Sequence, residues 1–89
     1  MIHKFKIYGK ENCSNCDKMK QICIDNKKDY LYFTLDTDFK REDYNFFWES
    51  VDKKNRQYPI IEYNGMLISY KLFIKVFLNE FLGIKEIDE

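Results

Sequence analysis

The sequence is poor in the residues that punctuate or staple a chain: across 89 positions it has one proline, three glycines, three cysteines and one histidine. So little Gly and Pro excludes a flexible or Pro-rich linker, a low-complexity tract and a collagen-like repeat, and no internal repeat is visible, so the reading is one domain over residues 1–89. Net charge is also lacking. Lys plus Arg and Asp plus Glu stand at 15 each, which leaves no global field toward nucleic acid or an anionic membrane. The most apolar stretch, residues 72–82, is interrupted by Lys75, Asn79 and Glu80 and is too short to cross a bilayer. Met1-Ile2-His3-Lys4 alternates apolar and polar residues, with no apolar block before a small-residue cleavage site. The expectation is a soluble, cytoplasmic, monomeric chain with neither nucleic-acid nor membrane partners. Three cysteines are an odd count and too few for a secreted disulfide scaffold, which turns attention to metal or redox chemistry.

What is present is apolar and aromatic material, 45% and 18% of the chain, enough for a small core without staples. Residues 2–8 are rich in strand-preferring types, with Phe5 and Ile7 on one face and Lys4 and Lys6 on the other, and Gly9 marks their end. From Ser14 to Asn26, Cys16, Met19, Ile22 and Cys23 share a helical face while Asp17, Lys18, Gln21 and Asp25 lie away from it. Residues 30–35 read as a second strand, after which Asp36 or Asp38 would cap the next helix. The i, i+3, i+4, i+7 spacing of Tyr44, Phe47, Trp48 and Val51 predicts that helix over residues 40–54, with Arg41-Glu42-Asp43 as a flank of mixed sign. Pro59 opens a third strand, Asn64-Gly65 signals a tight hairpin, and residues 66–70 return as the fourth strand. A last helix over 70–82 ends at Gly83; its apolar arc is wide enough that part of it would lie exposed or beneath residues 84–89. The order β-α-β-α-β-β-α predicts a parallel first pair, an antiparallel hairpin extending the same sheet, and helices on both faces: a three-layer α/β fold.

The chemistry-bearing motif is Cys13-Ser14-Asn15-Cys16, set between the first strand and the first helix. A helix N-terminus offers unpaired N–H groups and the positive end of the macrodipole, and both favour a thiolate. A helix dipole supplies about 0.3–1 kcal/mol at an exposed site. Lowering a thiol by two pKa units requires about 2.7 kcal/mol, so direct N–H bonds or Lys10, three residues upstream, would have to provide the remainder. Cys13 would then attack a substrate disulfide. Cys16, one turn on and facing the core, would displace the substrate in a second exchange. A zinc site is the competing reading; beyond the pair it has only Cys23 and His3 to draw on, and each reads more simply as a small core residue and a strand-end histidine. A binding module that keeps the fold without turnover is the other.

The element order, the dithiol and a proline opening the third strand resemble the glutaredoxin branch of the thioredoxin-like fold over residues 4–82. Phe5-Lys6-Ile7-Tyr8-Gly9 and Lys10 ahead of Cys13 and Cys16 are similar to the corresponding part of small phage glutaredoxins. The resemblance implies a thiol–disulfide oxidoreductase with catalytic Cys13 and Cys16, no bound cofactor, and glutathione or thioredoxin reductase as the source of electrons. It implies ribonucleotide reductase as a client, and a cis bond between Tyr58 and Pro59 that presents the Tyr58 backbone to substrate. Lys10, Arg56 and Gln57 would meet the glycine carboxylate of glutathione. The family's paired glycines fall on Ser69 and Tyr70, where the tyrosine ring would have to turn aside for the γ-glutamyl end to enter.

Overall fold

The computed structural model describes residues 5–83; the expectations for Ile2, His3 and Lys4 and for the tail 84–89 lie outside the described residues. Strands β1 (Phe5–Gly9), β2 (Tyr30–Thr34), β3 (Ile60–Tyr63) and β4 (Met66–Ser69) form one sheet in the order β2-β1-β3-β4. β1 runs parallel to β2 and antiparallel to β3, and β3 and β4 form the hairpin. Asn64 and Gly65 both take positive φ, 52° and 81°, as a two-residue turn that follows the sheet's twist requires.

Alternation along the strands sends side chains into two cores. On one face Phe5, Ile7, Ile61 and Ile68 meet Met19 and Cys23 of α1 (Ser14–Asp25) together with Phe73 and Phe81. On the other, Tyr8 and Ile60 meet Phe39, Phe47 and Trp48. Ile7, Ile60 and Ile61 are fully buried, each contributing about 1.5–3 kcal/mol relative to exposure. Lys6 lies on the second face, and its charge is met there: its ammonium sits 3.6 Å from Glu62, whose other oxygen accepts from the Tyr8 hydroxyl at 2.9 Å. The helices thus cover both faces of a mixed four-stranded sheet.

The predicted helix over 40–54 is not continuous. Arg41–Tyr44 is a 3₁₀ turn, α2 is only Asn45–Glu49, and Lys53–Asn55 is a second 3₁₀ turn. The Asp43 carboxylate accepts from the Lys40 amide at 3.0 Å, the capping-box bond that starts the helical run at Arg41, and the Ser50 hydroxyl donates to the Phe47 carbonyl at 2.7 Å, an alternative to the helical ladder where α2 ends. Neither Asp36 nor Asp38 caps the segment. Asp36 takes φ 69°, and the Asp38 carboxylate accepts from the Thr34 amide at 2.8 Å, closing the loop after β2. Tyr44, Phe47, Trp48 and Val51 nevertheless all reach the second core.

Residues 70–82 are helical throughout, as α3 (Tyr70–Leu72), a π-helical turn (Phe73–Phe77) and α4 (Leu78–Leu82). The Ser69 hydroxyl accepts from the Leu72 amide at 3.3 Å, and Gly83 closes the run at φ 76°. Phe73, Phe77 and Phe81 pack edge-on around Tyr63, with centroids 5.6 to 5.9 Å away. Leu72 and Val76 face outward, 46% and 56% exposed.

Candidate active site

The loop from β1 to α1 turns at Asn12, whose φ of 56° suits a short polar side chain. This turn delivers Cys13 in extended geometry to the N-cap position of α1. Its carbonyl receives the first helical bond from the Asp17 amide at 3.1 Å, and its sulfur accepts the Cys16 amide at 3.1 Å. A sulfur therefore occupies the place that a serine or aspartate oxygen takes in an ordinary cap.

Cys13 and Cys16 are joined in a disulfide with Cα atoms 5.2 Å apart. Their surroundings differ. Cys13 retains 9% of its surface and Cys16 none, so only the first offers its sulfur to a partner from outside. Cys16 packs against the backbone of β1 at Gly9, where an added Cβ would stand 2.9 Å from the Cys16 sulfur and overlap the Tyr32 hydroxyl. Gly9 is therefore required by close approach, beyond ending a strand. Lys20 lies over the Tyr32 ring at 4.4 Å, and burial pushes the Tyr32 phenol above its ordinary value.

Across from Cys13, the Tyr58–Pro59 bond is cis and the Tyr58 carbonyl oxygen lies 3.9 Å from the Cys13 sulfur. Pro59 is fully buried. The Tyr58 ring meets Trp48 edge-on at 5.0 Å and is faced by the Lys10 ammonium at 5.6 Å. Burial raises the Tyr58 phenol, and the Arg41 guanidinium offsets part of that rise. The Tyr58 hydroxyl and the Trp48 indole nitrogen are both buried without a hydrogen-bond partner among the described residues.

A cleft of about 370 Å³ opens over the cysteine and is lined by Lys10, Cys13, Ser14, Asn15, Arg41, Arg56, Gln57 and Tyr58. Three of these side chains are cations and none is a carboxylate. Lys10, Arg56, Gln57 and Tyr58 thus line one cleft with Cys13. Arg56 also does something a solvated loop charge would not. Its Nε donates to the Val51 carbonyl at 2.8 Å, tying the loop after α2 to itself.

Two residues escape the sequence reading. Arg41, taken there as a neutralised flank, stacks its guanidinium over Trp48 at 5.3 Å and points into the cleft. Its signal was its place seven residues before Trp48, on the stripe that carries Tyr44. Asn15, inside the Cys-Ser-Asn-Cys run, donates through Nδ2 to Gln57 Oε1 at 3.3 Å and links α1 to the loop before Pro59. No short-range pattern encodes a pairing across that separation.

Ser69 and Tyr70 are placed elsewhere. Ser69 pairs across the hairpin with Ile60, one residue past Pro59, and lines a second cleft of about 490 Å³ together with Lys54, Asn55, Lys71 and Lys75. Tyr70 packs its ring into the first core, and burial raises its phenol. Cys23 is a fully buried thiol in the same core, pushed up to about 11 by burial. Among the described residues no group of three or more His, Cys, Asp or Glu side chains is placed to hold a metal ion; His3, the other ligand weighed for zinc, lies outside them. Among the described residues no helix is long and apolar enough to cross a membrane. Compared with known proteins, the chain matches no family model and no curated protein.

Proposed function

We propose that this chain is a dithiol–disulfide oxidoreductase of the glutaredoxin type, on a thioredoxin-like arrangement of its sheet and helices. The observation that carries the reading is the division of labour within one disulfide. The Cys13 sulfur lies at a cationic cleft and accepts an amide hydrogen bond at a helix N-terminus, while the Cys16 sulfur is sealed. The first arrangement favours an accessible thiolate, and the second keeps the resolving sulfur away from competing reagents.

The cycle balances as two exchanges. The reduced Cys13 thiolate attacks one sulfur of a substrate disulfide, forming a mixed disulfide and releasing the other half as a thiolate that takes up a proton. The Cys16 thiol loses its proton, attacks Cys13 and expels the second half as a thiol. The protein is left with the Cys13–Cys16 bond, two electrons poorer. Two thiols of a reductant, glutathione or a protein dithiol, return those electrons by the reverse exchange. Glutathione is the reductant that the resemblance implies, and Tyr70, half-buried against the first core, does not line the cleft that holds Ser69. A disulfide-bearing protein such as ribonucleotide reductase is the kind of client the reading requires.

The test is to supply either glutathione with glutathione reductase, or thioredoxin reductase, and follow consumption of the nicotinamide cofactor as a model disulfide is reduced. Turnover with either system is expected. Absence of turnover with both, and with the chemically reduced protein as stoichiometric reductant, would overturn the proposal.

A further inference from the structure

The cleft at the dithiol and the second cleft share a charge that the composition conceals. The loop 53–58 separates them: Arg56 and Gln57 line the first with Cys13, and Lys54 and Asn55 line the second. Lys10, Arg41 and Arg56 face one side, and Lys54, Lys71 and Lys75 face the other. Among the described residues lining both clefts the single carboxylate is Asp52, in a chain whose charges cancel overall. Beside the second cleft α3 and the π-helical turn expose Leu72 and Val76, apolar side chains at i and i+4 on the stretch that carries Lys71 and Lys75. Cations at a reactive sulfur that continue into a neighbouring cleft with exposed apolar side chains are the anatomy of a docking surface.

Resting on the redox reading, we propose that the client is an acidic polypeptide segment: a chain bearing the target disulfide, with carboxylates beside the cysteine and again farther along. Two features select this occupant. The centre of the surface is a sulfur, so the partner must bring sulfur, which a nucleic acid does not. The cations extend past the loop 53–58 into the second cleft, so the partner is extended enough to cross it, with an apolar side chain for Leu72 and Val76. Six cations facing a polyanion act chiefly on the rate of encounter, which makes the preference dependent on salt.

The experiment uses the fully reduced chain as a single-turnover reductant of short peptides whose central cysteine is held in a mixed disulfide with a chromogenic aromatic thiol. The cysteine is flanked by glutamates, by glycines or by lysines, with a leucine at one end in each case. The acidic peptide is expected to react about tenfold faster than the neutral one at low salt and the basic peptide more slowly still, with the three rates converging near 1 M salt. In the Lys71→Glu/Lys75→Glu variant the acidic-to-neutral ratio should fall several-fold. Equal rates for acidic and neutral peptides would overturn the inference while leaving the redox reading intact. So would a single-stranded oligonucleotide of equal charge that suppresses the reaction as well as a cysteine-free acidic peptide does, since that is a generic polyanion effect. No reaction with any peptide would overturn both.

Discussion

The backbone amide of Cys16 donates a hydrogen bond to the sulfur of Cys13 across 3.1 Å. The two cysteines are therefore coupled by backbone geometry as well as by their disulfide. A donor fixed by a helix costs no rearrangement when negative charge develops on the acceptor, and hydrogen bonds to charged groups are worth about 1.5–3 kcal/mol. The Tyr58 carbonyl, 3.9 Å from the same sulfur, opposes that charge from farther away. The proposed cycle requires the closer amide and the cations of the cleft to outweigh it.

Substituting the two cysteines separates their roles. Cys13→Ser is expected to abolish reduction of a model disulfide, because Cys16 is sealed. Cys16→Ser should accept one substrate half and stop, giving a mixed disulfide at Cys13 visible by intact mass. Equal residual activity in the two variants contradicts the assignment.

Gly9→Ala tests the packing of the buried sulfur. The new Cβ would meet Cys16 and Tyr32 together, and overpacking of this kind costs about 1–3 kcal/mol. A lower melting temperature is expected, recovered in part by adding Tyr32→Phe, since neighbouring substitutions couple. An unchanged melting temperature would mean that β1 and α1 are not in close contact at this point.

Arg56 holds its loop through one bond to the Val51 carbonyl. Arg56→Ala removes the donor from a part-buried acceptor and should lower stability by about 1–2 kcal/mol in denaturant titration. Arg56→Lys keeps the charge at the cleft but lacks the guanidinium fork, so it should restore little of that loss. Full restoration by lysine would show that charge alone matters there.

Cys23 gives a pH dependence with a defined sign. Its folded-state value lies above the ordinary thiol value, 9.0 raised to about 11. The folded state therefore binds more protons between those limits, and stability falls as pH rises through them. Below pH 9 the contribution is complete; above about 11 it is lost, amounting to roughly 2–3 kcal/mol. Cys23→Ala should show a shallower alkaline decline than the parent in denaturant titrations across that range. The same burial predicts that native Cys23 resists alkylation near neutral pH.

Much of the fold was legible because the controlling signals are local. Phe5 and Ile7 alternate, Met19 and Cys23 repeat at helical spacing, and Asn64-Gly65 names its own turn. The continuous second helix failed because Arg41–Tyr44 tightens to a 3₁₀ turn and the Ser50 hydroxyl takes the Phe47 carbonyl where α2 ends, which the aromatic stripe does not register. At the site, Cys13, Cys16, Lys10 and Tyr58 could be read from one motif and one proline. Arg41 was legible only from its place on the aromatic stripe, and the bond from Asn15 to Gln57 was not, because it arises when separate elements pack together. Charge was the deepest concealment: a balance over the whole chain says nothing of where the folded chain puts each sign, and here the cations gather beside the sulfur.

The most direct test is the pH dependence of Cys13 alkylation in the reduced protein, with the modified site identified by mass spectrometry. If the amide and the cations stabilise its thiolate, the midpoint falls at least one unit below the roughly 8.5 of a free cysteine. A midpoint at or above that value would contradict the account.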